Sequence, residues 1–156
     1  MSIPGISRRV PAMFACVLVA ACQPPETGAP DVAYIQLPGM EDLGLPFSAA
    51  VRVDQTLYVS GNVGNLPGTL ELAPGGIEAE TRQTMENIKA VLQHAGSSLD
   101  RVVKCTVFLA DMAEWGAMNE VYRTYFENPP ARSALGASGL ALGARVEIEC
   151  IATVDG

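Results

Sequence analysis

The stretch VEIECIATV, Val146 to Val154, decides the fold. In an extended chain successive side chains point to opposite faces, so Val146, Ile148, Cys150 and Ala152 fall on one side and Glu147, Glu149, Ile151 and Thr153 on the other. A strand of this kind packs one face on a core and turns the other to water or to a second subunit. Outward from it, Ala144 to Val154 reads as the last strand. Phe47 to Val53 and Thr56 to Ser60 read as a hairpin turning at Asp54-Gln55, and the Gly-, Asn- and Pro-rich segment Gly61 to Gly76 reads as loop. Ile77, Thr81, Met85, Ile88, Leu92 and Ala95 recur at spacings of three and four, which predicts a long helix that Gly96 stops. Val102 to Leu109 is a β-type run. A second helix is expected from Met112 to Phe126, capped by Asp111 with Glu114 three residues on, carrying an apolar stripe of Trp115, Met118, Tyr122 and Phe126, and ended by Asn128-Pro129-Pro130. The order β-β-α-β-α-β implies an α+β two-layer sandwich, a mixed sheet with two helices on one face. Two helices leave the other face open, which points to a homo-oligomer with polar pockets between subunits.

The first residues read differently. Arg8 and Arg9 precede an apolar run, Val10 to Ala21, which is too short to span a bilayer as a helix of ~20 residues and has the build of an export signal. It ends in Val19-Ala20-Ala21-Cys22, which resembles a lipobox, so Cys22 is expected to carry lipid and become the N-terminus. Residues 1–21 are then signal, 22–40 a proline-bearing tether and 41–156 the domain. The expected location is the bacterial cell envelope, exported and lipid-anchored at Cys22 on the periplasmic face.

Charge and cysteine usage narrow the function. The chain has 10 basic and 17 acidic residues, a net charge of -7. Loss of residues 1–21 removes Arg8 and Arg9 and no acid, leaving 8 basic against 17 acidic residues and a net charge of -9. Such a surface repels nucleic acid and anionic headgroups. Cys105 and Cys150 lie in apolar strand-like runs, where free cysteine behaves as a small buried hydrophobe. An oxidising envelope permits a disulfide, but two strand cysteines need not be neighbours, and the residues read as two buried thiols. With no CxxC and one histidine, His94 at a helix end, no metal site is expected.

Several segments carry a family resemblance: LYVSGN (Leu57 to Asn62), TRQTMENIKAVL (Thr81 to Leu92), VKCTVFL (Val103 to Leu109), PARS (Pro130 to Ser133) and VEIE (Val146 to Glu149). In this order, over Leu45 to Val154, they resemble the signatures of the RidA (YjgF) family. The resemblance implies a chorismate-mutase-like fold, a homotrimer with clefts between subunits, no cofactor, and hydrolysis of reactive 2-imino or enamine acids to 2-keto acids and ammonia. It makes Arg132 the holder of the substrate carboxylate, as a planar guanidinium suits, and Glu147, fifteen residues on, the group that aims water and moves protons. Ser60, Gly61, Asn119 and Phe47 match positions that line the cleft. The chain also departs from the family. Phe47 stands where enzymatic relatives carry tyrosine, and a lost hydrogen bond to a charged partner costs roughly 1.5 to 3 kcal/mol, about one to two decades in rate. Ala134 replaces a cysteine of some relatives, and Leu135 to Ala141 replaces a valine-rich wall. The alternative reading is a non-catalytic binder of small carboxylates, or an envelope scaffold lipoprotein of the same fold.

Overall fold

The computed structural model describes residues 28–40 and 43–155. The expected export signal and the expected lipid site, Cys22, lie outside the described residues. Six strands form one sheet in the order β1, β2, β3, β6, β4, β5: β1 Val32–Ile35, β2 Ala50–Val53, β3 Thr56–Val63, β4 Val102–Leu109, β5 Ala131–Gly136 and β6 Val146–Thr153. The β4–β5 pair is parallel and the remaining pairs are antiparallel, so the sheet is mixed as expected. Helices α1, Gly76–His94, and α2, Trp115–Tyr122, cover one face. Short 3₁₀ turns, Met112–Glu114 and Arg123–Tyr125, extend α2 to the span read from sequence. The Asp111 carboxylate accepts from Ala113 N at 2.9 Å and caps that span.

The alternation in β6 holds. Val146, Ile148 and Ala152 are fully buried beneath the helices, and Glu147 and Glu149 lie on the uncovered face. Met85, Ile88 and Leu92 of α1 and Met118 of α2 meet them with no exposed surface. Thr81 and Thr84 are equally buried, which is tolerable because their hydroxyls donate to Ile77 O and Glu80 O at 2.6 and 2.8 Å. Two register shifts adjust the pattern. One, between Val102 and Lys104, lets Val102 and then Cys105, Val107 and Leu109 all face inward; the other falls between Val59 and Asn62 of β3.

Three expectations are corrected. The tether drawn over residues 22–40 contains a strand: β1 pairs with β2 from Val32↔Val53 to Ile35↔Ala50, and Ile35, Leu37 and Met40 pack on the core. Four residues between Pro30 and Pro38 are too short a run to stand out. The expected order has no strand between Phe126 and Ala144, yet β5 lies there: its sequence, ARSALG, is small and weakly alternating, and its hydrogen bonds to β4 define it. Cys105 and Cys150 are not two thiols. They are direct register partners in β4 and β6, both inward-facing, with Cα atoms 4.1 Å apart, and they form a disulfide.

The disulfide closes a loop with a sequence separation of 45, for which the chain-entropy account gives stabilisation of about 4 kcal/mol. A Cys105→Ser, Cys150→Ser double variant is expected to lose ~2–4 kcal/mol in denaturant titration. Since both cysteines are at most 2% exposed, native protein should keep the bond in dithiothreitol and lose it only where denaturant opens the fold.

Candidate active site

Glu147 owes its position to the irregularity in β3. Val59 pairs with Cys150 but Asn62 with Ile148, so β3 holds one residue more than β6 around Ser60-Gly61. The bulge is pinned on three sides: Ser60 N donates to Ala49 O at 3.0 Å, Ser60 Oγ to Ser48 O at 2.7 Å, and Asn62 Nδ2 to Ser60 O at 2.7 Å. Over it lies the Glu147 carboxylate. A Cβ on residue 61 would overlap Glu147 Oε1 and stand 3.0 Å from its Cδ, so only glycine leaves room for that side chain. Phe47, Ser60, Gly61 and Glu147 line one cavity of about 480 Å³.

Arg132 belongs to a different surface. It pairs in register with Cys105, shares the helix-covered side of the sheet, and reaches α2. There its guanidinium carbon lies 4.7 Å from the Tyr122 ring centroid and 6.0 Å from that of Trp115. Aromatic faces attract a guanidinium and hold its plane, and the salt bridges of the described residues do not include Arg132. A half-buried cation on an aromatic shelf, without a carboxylate partner among the described residues, is suited to hold an external carboxylate. Arg132 shares an open pocket of about 500 Å³ with Asn119, Tyr122 and Pro130.

The structure therefore splits the expected site residues in two. Glu147 is level with Phe108 of β4, hence with Leu135 of β5, three residues beyond Arg132. Two strand spacings sideways and three residues along put the backbones on the order of 14 Å apart, with the side chains on opposite faces. One chain cannot close both groups on a small substrate. The sequence also left the shelf unread: Trp115 and Tyr122 looked like plain members of an apolar stripe, although Trp115 is 43% exposed. Ser60 lines the cavity as expected while its hydroxyl donates to Ser48 O, and Phe47 is half-exposed at the cavity wall.

The family described as Endoribonuclease L-PSP, to which RidA and YjgF proteins belong, matches residues 43–154. The chain belongs to this family. Among its RidA-family relatives is the 2-iminobutanoate/2-iminopropanoate deaminase of Mus musculus, 48% identical over 108 residues, 69% of this chain and 80% of the relative. The Homo sapiens protein of the same name is 43% identical over 69% of this chain and 79% of its own. Among solved structures, RidA from an Antarctic Psychrobacter superposes with a TM-score of 0.67 at 41% identity, covering 70% of this chain and 89% of that one. TdcF of E. coli with bound serine gives 0.67 at 30% identity, over 71% and 90%.

Tyr122 separates shelf from hydroxyl. Its hydroxyl is buried without a hydrogen-bond partner among the described residues, and burial pushes its pKa up to about 12, with Arg132 opposing the rise. Tyr122→Phe keeps the ring and removes an unsatisfied group, so at pH 7 it should leave stability unchanged or raise it, whereas Tyr122→Ala should lower it. A raised tyrosine pKa gives stability that is full below the unfolded value of ~10 and is lost as pH rises toward 12. Denaturant midpoints at pH 8, 10 and 11 should thus fall less steeply in Tyr122→Phe than in wild type.

Proposed function

We propose that this chain hydrolyses 2-imino acids to 2-keto acids and ammonia, in a cleft where one copy supplies Glu147 and a neighbouring copy supplies Arg132. The observation that carries this reading is the split itself: a carboxylate lodged on Gly61 and a guanidinium on an aromatic shelf with no ion-pair partner among the described residues, held by strands but on opposite faces of one sheet. A homotrimer, the assembly expected for the family, would close the two halves. The deaminase names of its 43–48% identical relatives support the reaction. Its net charge of -7 gives no purchase for RNA.

The chemistry follows from the groups. The neighbour's Arg132 takes the substrate carboxylate in a paired hydrogen bond and fixes C2 before Glu147. Glu147 accepts a proton from water as its oxygen bonds to C2, and returns it to the nitrogen. The added hydroxyl then gives its proton to the same nitrogen by way of Glu147, and as the C2–N bond breaks ammonia departs and the oxygen becomes the keto oxygen. One water is taken up for each ammonia released. Glu147 suits this because a carboxylate can both take and give the proton within hydrogen-bond reach.

Imines generated in place by an amino-acid oxidase should be converted faster than in the blank. Arg132→Ala and Glu147→Ala should each lose about 100-fold or more, and so should Gly61→Ala, whose new Cβ evicts the Glu147 carboxylate while the strand keeps its conformation. Mixing unfolded Arg132→Ala and Glu147→Ala chains and refolding them together should restore about a quarter of the sites, since one copy in such an interface carries an intact Glu147 and its neighbour an intact Arg132. No recovery on mixing would defeat the shared site.

The envelope location belongs to the same proposal. A buried Cys105–Cys150 disulfide is at home in an oxidising compartment, in keeping with the export-like residues 1–21. Mass spectrometry of the native protein should give an N-terminal Cys22 peptide carrying a diacylglyceryl group; an intact Met1 terminus would refute export.

A further inference from the structure

The cavity beside Glu147 is much larger than a three- or four-carbon acid needs. Its volume of about 480 Å³ falls in the range of pockets that enclose ligands of substantial size. Leu37, Met40, Leu45, Leu70, Ala90 and Leu142 supply an apolar wall. Among the described residues, the polar side chains on the wall, Glu147 apart, are already partnered within the chain. Ser60 donates to Ser48 O and Asn62 to Ser60 O, Asn65 donates to Thr69 O, Gln83 donates to Asn87, Asn87 donates to Val63 O and Asn65 O, and Glu86 accepts from the Tyr125 hydroxyl. The space therefore offers little to a polar substituent and much to an apolar one.

Leu142 gives an independent sign. Its φ of 60° puts a bulky residue in the left-handed region, which disfavours any side chain with a Cβ. Its side chain is 49% exposed and lines this cavity, so core packing is not what holds it there. Residues in such conformations cluster at ligand sites.

We propose that this cavity receives the substrate side chain, and that the chain selects 2-imino acids with branched aliphatic or aromatic side chains over iminopropanoate and iminobutanoate. The proposal rests on the deaminase reading, with C2 placed before Glu147. The polar head stays at Glu147 and at the neighbour's Arg132, and the side chain replaces water against Leu37, Met40 and Leu142. Since one methylene in a fitted apolar pocket is worth about tenfold or more in discrimination, the preference should be large.

The test supplies the full-length protein with imines made in place from alanine, leucine and phenylalanine. It is joined by binding titrations with the corresponding keto acids, pyruvate, 4-methyl-2-oxopentanoate and phenylpyruvate. The expected result is kcat/KM at least about tenfold higher for the leucine- or phenylalanine-derived imine than for the alanine-derived one. That ratio should fall several-fold in Ala90→Phe, which fills the cavity from an exposed helix position, and in Leu142→Gly, which removes contact and strain together. Equal or faster turnover of the alanine-derived imine would overturn the side-chain proposal and leave the deaminase reading intact. No turnover of any imine would overturn the deaminase reading; the titrations then decide the cavity's role, with phenylpyruvate or 4-methyl-2-oxopentanoate tighter than pyruvate by about tenfold upholding it and equal affinities defeating it.

Discussion

Two helices cover one face of a six-stranded sheet, and the separation of Arg132 from Glu147 follows from that asymmetry. Period-two alternation in β6 commits Val146, Ile148, Cys150 and Ala152 to the core and leaves Glu147 outside it. Parallel pairing of β5 with β4 sends Arg132 to the other side, where α2 offers its rings. A carboxylate and a guanidinium on the same face would pair and neutralise each other. On opposite faces, Arg132 and Glu147 do not meet within one chain.

Backbone devices do the positioning that side-chain contacts usually do. The extra residue at Ser60-Gly61 bends β3 away and opens room above it, and the absent Cβ of Gly61 fixes how deeply Glu147 settles. Strand bulges recur beside active sites for this reason, since they re-aim a neighbouring group without disturbing the core. A similar economy holds at Arg132, where ring faces orient the guanidinium without spending any of its N–H donors.

The sequence made the helices, the hairpin and the three long strands readable because each has a strong period or a clear stop signal: Gly96 after α1, Asp111 before α2, and the Asp54-Gln55 turn. It concealed β1 and β5, whose four and six residues carry no period of their own and are strands only through their partners. Cys105 and Cys150 illustrate the same gap. Each could be placed on the inner face from local pattern, but only the register of β4 against β6 makes them neighbours. Arg132 and Glu147 were identified through family motifs, whereas their opposite faces, and the roles of Trp115 and Tyr122, depend on which strands lie side by side.

The Cys105–Cys150 bond has a consequence for the integrity of the chain under attack by proteases. Its two ends enclose α2, β5, the exposed turn around Leu142 and both Arg132 and Glu147. A backbone cut anywhere between them, even at the open residues after Gly136, leaves both fragments covalently joined through the sheet's interior. Such a nick would divide the sequence without parting Arg132 and Glu147 from the strands that carry them.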